Sequence, residues 1–174
     1  MKTLMIAAAL LGTTTTAMPG AAQPHHGQPD IVAAAAANDQ FETLVAAVKA
    51  AHLVETLQGD GPFTVFAPTD AAFAKLPDGT VGELVKPANR DALRSILTYH
   101  VVAGEFKAAD VLDLVERQGG RAAIPTVQGG ELVASLSGGE LILTDEKGNR
   151  IAVTKTDLDV SNGVIHAIDG VLMP

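Results

Sequence analysis

The chain has 174 residues, enough for one domain with a real core. Hydrophobic residues make up 47% and aromatics only 3%, so Val, Leu, Ile and Ala must fill that core. Twenty acidic against twelve basic side chains give a formal charge of −8, which argues against nucleic acid or an anionic membrane surface as the main partner.

The first residues have the layout of a secretory signal peptide. Lys2 is the positive start, Leu4 to Leu11 the apolar run and Thr13 to Ala22 a small-residue tail. The run is shorter than the roughly 20 residues that span a bilayer. Small residues at Gly20 and Ala22 set the expected cut before Gln23, with a second choice between Ala17 and Met18. The expected destination is the periplasm, cell surface or medium. The chain has no cysteine, so neither a lipoprotein anchor nor a disulfide is expected, and the mature domain must stand on packing.

Residues 23–29, with Pro24, Gly27 and Pro29, read as a tether before a domain over 30–174. His25 and His26 stand side by side in it and form no preorganised metal site. Asp30 caps an Ala-rich helix from Ile31 to Ala37, and Asn38 or Asp39 caps a second. Phe41, Leu44, Val45, Val48 and His52 recur there at helical spacing. "GDGP" (59–62) ends it. Phe63 to Phe66 is β-branched and aromatic, hence a strand, and Pro68 stops it. Thr69 or Asp70 caps a short helix to Leu76, and helical patches follow at Val81 to Val85 and Asn89 to Leu97.

"YHVVAGEF" (99–106) reads as strand, turn, strand, and 108–120 as a helix closed by Gly119 and Gly120. From Ile124 the apolar period is two. Leu132, Ala134 and Leu136 share a face, as do Leu141 with Leu143 and Ile151 with Val153. Turn signals fall at Gly129–Gly130, Gly138–Gly139 and Glu146 to Asn149. Helices crowd the first half and strands the second, so the class is α+β around an antiparallel sheet.

Chemistry finds little footing. There is no Gly-x-Ser-x-Gly elbow, and Ser161 lies near His166 with no sign of an oxyanion hole. "GDGPFT" (59–64) lacks the Lys-Ser/Thr of a phosphate loop. Asp157 to Gly163 alternates oxygen-bearing side chains, yet a calcium loop would need its glycine at Asn162 and its glutamate at Ile168. His52, His100 and His166 show no zinc spacing. His100 and His166 both stand in apolar, strand-like runs. There a neutral imidazole can donate one hydrogen bond and accept another, pinning two backbone segments; catalysis and ligation are the alternatives. No catalytic residue, cofactor or metal is assigned.

Three stretches together resemble the fasciclin domain: "GPFTVFAPTDAAFAKLP" (61–77), "LTYHVVAGEF" (97–106) and "NGVIHAIDGVLMP" (162–174). They stand in that family's order over about residues 30–174. The resemblance implies a wedge-shaped antiparallel β-sandwich of about seven strands with several packed helices. It implies a secreted, non-catalytic module of the single-domain bacterial type, attaching to a cell-surface or matrix protein or polysaccharide. Asp70, Tyr99, His100 and His166 fall on family motif positions and are expected to be structural. In some animal members an Asp-Ile pair before the last motif supports integrin binding; the matching Asp157 and Leu158 are Asp-Leu, a departure that argues against integrin. They remain the candidate partner-binding pair, lifted outward on a connector before the final strand, with an ordinary connector and a buried Leu158 as the alternative. With one copy ending at the last motif, a monomer without an anchor tail or second domain is expected. The other function class is a carrier of a small apolar ligand held between helices and sheet.

Overall fold

The computed structural model describes residues 28–59 and 61–174. The expected signal peptide, both cut sites, His25, His26 and all of the tether before Gln28 lie outside the described residues.

Helix α1 (Ile31–Ala36) starts where expected, with the Asp30 carboxylate accepting from the Ala33 N–H at 2.7 Å. Asn38 caps a 3-10 turn (Asp39–Phe41) that runs into α2 (Glu42–Ala50). Phe41, Leu44, Val45 and Val48 are buried along one stripe. His52 is not on it. It is exposed, with φ 55°, and lets the Leu53 N–H reach back to the Val48 carbonyl to close the helix.

The next elements are α3 (Val54–Leu57), β1 (Phe63–Pro68), α4 (Asp70–Ala74), α5 (Thr80–Leu84), α6 (Arg90–Tyr99), β2 (Val101–Ala103) and α7 (Ala108–Arg117). The meander then supplies β3 (Arg121–Pro125), β4 (Glu131–Ser137), β5 (Glu140–Thr144), β6 (Arg150–Val160) and β7 (Gly163–Ile168). The expected strand at Glu105–Phe106 is absent, because Gly104, at φ 114°, turns the chain toward α7.

The seven strands form one sheet in the order β2-β1-β7-β6-β5-β4-β3. Every pairing is antiparallel except β1–β7, which runs parallel from Phe63 opposite Gly163 to Pro68 opposite Ile168. Parallel strands need a long crossover, and here α4 to α7 and β2 to β6 lie between them. The sheet almost closes, since Val102 bridges Thr126 and the Val127 N–H donates to the Val101 carbonyl at 2.8 Å.

Two cores follow from this curl. Val65, Ala67, Ile165 and Ala167 face the helices, whereas Phe66, Tyr99, Leu132, Leu143, Ile168 and Leu172 fill the inside of the sheet. Strands covered on both faces read as continuous apolar runs, which is why β1 and β7 show no alternation. Leu136 departs from the inward face of Leu132 and Ala134; it sits at 38% exposure by the Gly138–Gly139 hairpin tip, beyond the core.

Candidate functional site

Tyr99 and His100 do not begin a strand. Tyr99 is the last residue of α6 and His100 its C-cap, because the Leu93–Leu97 stripe keeps the helix going into the β-branched sequence. That end delivers both side chains to the inner core. The Tyr99 hydroxyl donates to the Glu131 carbonyl at 2.9 Å and accepts from the Glu146 N–H at 3.1 Å. One phenol thus joins α6, the start of β4 and the β5–β6 turn. Burial raises its pKa, as do the Glu146 and Asp145 charges, while the Glu146 N–H bond opposes the shift. Gly130 is required beside it: a Cβ there would sit 2.8 Å from the ring's Cε2.

The two histidines hold opposite tautomers. Near His100 Nδ1 stands the Ile96 carbonyl at 2.7 Å, which can only accept, so Nδ1 carries the proton. Its Nε2 accepts from the Leu172 N–H at 3.0 Å. On β7, His166 Nε2 donates to the Phe106 carbonyl at 2.7 Å and Nδ1 accepts from the Asp157 N–H at 3.3 Å. Its ring also stacks on Phe66, with centroids 5.5 Å apart. Burial pushes His100 down to about 4 and lowers His166 as well, against the pull of their carbonyl partners. Each ring nitrogen is taken by backbone, so neither imidazole has a lone pair to offer a substrate or a metal.

Asp70 opens α4, but the cap of that helix is Thr69, whose hydroxyl accepts from the Ala72 N–H. The Asp70 carboxylate instead accepts from the Thr43 N–H at 2.9 Å and ties α4 to the first turn of α2.

Asp157 and Leu158 are not on a connector. They belong to β6, in a stretch where its register against β7 slips twice, after Val153 and again before Leu158. The polar run of 154–157 shows no alternation, which hid the strand. Asp157 sits at φ 58°, an uncommon left-handed position for a non-glycine residue. Its carboxylate accepts from the Ala108 N–H at 2.8 Å at the start of α7. Leu158 is half-buried against the helical core, and Asp159 pairs with Lys107 at 3.2 Å.

Two features carry no mark in composition or period. Asn162 accepts from the Ile31 N–H at 3.1 Å and donates to the Leu57 and Gly59 carbonyls at 2.6 and 3.3 Å, so one amide gathers α1, the end of α3 and the start of β7. In the sequence it read only as half of a turn signal. The second feature is an apolar cavity of about 40 Å³ between α1, α2, α3, α6, β1 and β2. Only Thr56, Thr98 and His100 bring polar side chains to its lining. Among the described residues there is no cluster of metal-ligating side chains, and no helix is long and apolar enough to cross a membrane.

Comparison with known proteins agrees with these three motifs. The family profile described as Fasciclin domain matches residues 39–174. Protein sll1483 of Synechocystis is 51% identical over 148 residues, covering 83% of this chain and 73% of its own. Cell surface glycolipoprotein MPB83 of Mycobacterium bovis is 34% identical over 152 residues, covering 84% of this chain and 61% of its own. A solved FAS1 domain pair from the insect cell adhesion molecule fasciclin I superposes with a TM-score of 0.75 at 20% identity, over 84% of this chain and 51% of that one. With the profile spanning most of its length and the Tyr-His and final histidine motifs at the centre of its core, the chain belongs to the fasciclin domain family.

Proposed function

We propose that this protein is exported and works outside the cytoplasm as a non-catalytic adhesion or interaction module, binding a protein or polysaccharide of a cell surface or matrix. One observation carries the reading: His100 and His166, the residues best suited to chemistry, spend both ring nitrogens on backbone groups. The family motifs therefore build a scaffold, and recognition falls to its acidic exterior. The relative described as a cell surface glycolipoprotein supports the location. The test is retention of the labelled protein on intact host cells and isolated matrix. Retention above that of an unrelated acidic protein is the expected result; equal retention would reject the reading.

The cavity favours a second reading, a carrier of a small apolar ligand. Two of its three polar side chains are engaged: the Thr98 hydroxyl donates to the Arg94 carbonyl at 2.8 Å and His100 is fully bonded. A charged ligand would find no counter-charge in this lining, whereas a hydrocarbon end would find apolar walls. At about 40 Å³ the hollow admits only a few heavy atoms, so the rest of such a ligand would lie at the mouth near the exposed Val127. Organic extraction of protein purified from its own host, followed by mass spectrometry, tests this reading; a clean extract would reject it.

A further inference from the structure

We propose that Asp157 and His166 form an acid-sensitive latch. When the imidazole takes a proton, the Asp157 carboxylate leaves the N-terminus of α7 for the ring, and the β6 bulge and the entry to α7 loosen together. The proposal goes beyond the adhesion reading and needs no part of it.

At neutral pH one imidazole joins three segments. His166 on β7 receives the Asp157 N–H from the bulge and donates to the Phe106 carbonyl in the link between β2 and α7. Asp157 then closes the loop, because its side chain holds the Ala108 N–H, two residues after Phe106. Two bonds from one residue hold Asp157 in its left-handed conformation. Adding a proton to Nδ1 sets two donors face to face, the imidazolium N–H and the Asp157 N–H, with no acceptor between them. The carboxylate of that same Asp157 is an acceptor of opposite charge, and taking it costs α7 its first-turn anchor.

The charged groups facing this region are Asp157, Asp159 and Lys155 on β6, Glu105 and Lys107 on the link, and Asp110 in the first turn of α7. Lys107 is held by Asp159 at 3.2 Å and by Glu105 at 3.6 Å, and Asp110 by the Lys107 N–H at 3.2 Å. Lys155 is exposed. From β1 the Phe66 ring stacks on the imidazole. Burial holds the imidazole below the ordinary histidine value, against the upward pull of the Phe106 carbonyl and then of the Asp157 carboxylate. The other buried histidine bonds the Ile96 carbonyl and the Leu172 N–H, and the Asp145 carboxylate that acts on it is already held by Asn149 and the Met173 N–H.

The test is NMR on the nitrogen-labelled protein between pH 7.5 and 4, following the His166 ring nitrogens and the exchange protection of single amides. At neutral pH Nδ1 should show the shift of an unprotonated, hydrogen-bonded nitrogen. As the ring titrates, Asp157 and Ala108 should lose protection by about tenfold or more, while Leu132 and Ala134 in β4 stay protected. Asp157→Asn keeps an oxygen to cap α7 and removes the charge, so Ala108 should then stay protected through the same titration. Protection of Ala108 that is unchanged while His166 titrates would overturn the latch. So would simultaneous loss at Leu132, which means global unfolding, or a wild-type response in Asp157→Asn.

Discussion

The N–H of Leu172 donates to Nε2 of His100 at 3.0 Å, across 72 positions of sequence. This bond makes the C-terminal segment part of the core: Leu172 is fully buried, and next to it the Met173 N–H reaches the Asp145 carboxylate at 3.1 Å. His100→Ala would leave the Leu172 N–H unpaired and open a void between α6 and that segment. The expected loss is about 2–3 kcal/mol, read as a lower urea midpoint with an unchanged slope.

Acid should act through the same group. The folded pKa of His100 is depressed to about 4, so the unfolded chain binds its proton first. The stability tied to a neutral His100 is therefore complete above the unfolded value near about 6.5, and it drains away as pH falls toward 4. His166, lowered by burial as well, adds in the same direction. Over that window the total for His100 is on the order of 3 kcal/mol. Urea midpoints at a series of pH values measure it; a flat profile between 6.5 and 4.5 would contradict neutral, buried imidazoles.

Asn162 offers a test of a residue that sequence reading passed over. Asn162→Asp keeps an acceptor for the Ile31 N–H but turns the donor that serves Leu57 and Gly59 into a second oxygen facing two carbonyls. A loss of about 2–3 kcal/mol is expected at neutral pH. Because the protonated carboxyl can donate again, the deficit should narrow below about pH 4. A neutral-pH midpoint equal to that of the wild type would show that the amide does not hold α1 and α3 in place.

How far the sequence was legible depends on what each stretch was asked to reveal. Asp30 and the Phe41 to Val48 stripe were readable because a cap and an amphipathic period are local signals. The β3 to β5 hairpins were readable because glycine turns separate alternating runs. Tyr99 and His100 looked like a strand because β propensity favours aromatic and β-branched neighbours, whereas the Leu93–Leu97 face buried against α2 extends the helix through them. The β6 bulge was invisible for another reason: its strand identity rests on pairing with β7, not on its own polar sequence. The parallel partnership of β1 and β7 is likewise a long-range fact. Motif resemblance found the residues at the centre of the core, but not the amide of Asn162 or the cavity.

The bulge also decides the most direct test of where this protein binds. On a connector, a double change of Asp157→Ala with Leu158→Ser would separate an exposed binding loop, which keeps its melting temperature, from one with a buried leucine, which loses stability. The structure alters the expectation for both positions. Removing the Asp157 carboxylate frees the Ala108 N–H, and removing the leucine uncovers part of the helical core, so the double variant should lose about 2–3 kcal/mol in total. A fall in attachment by that variant would therefore be ambiguous on its own. Asp159→Ala is the cleaner partner experiment. Its carboxylate is exposed and, among the described residues, bonds Lys107 alone, so its loss should change stability by less than about 1 kcal/mol. If the adhesive surface includes this end of β6, attachment to cells or matrix should weaken in Asp159→Ala while thermal unfolding stays within a few degrees of the wild type. Full attachment by Asp159→Ala, together with loss in the double variant only in proportion to its unfolded fraction, would move the adhesive surface away from the bulge.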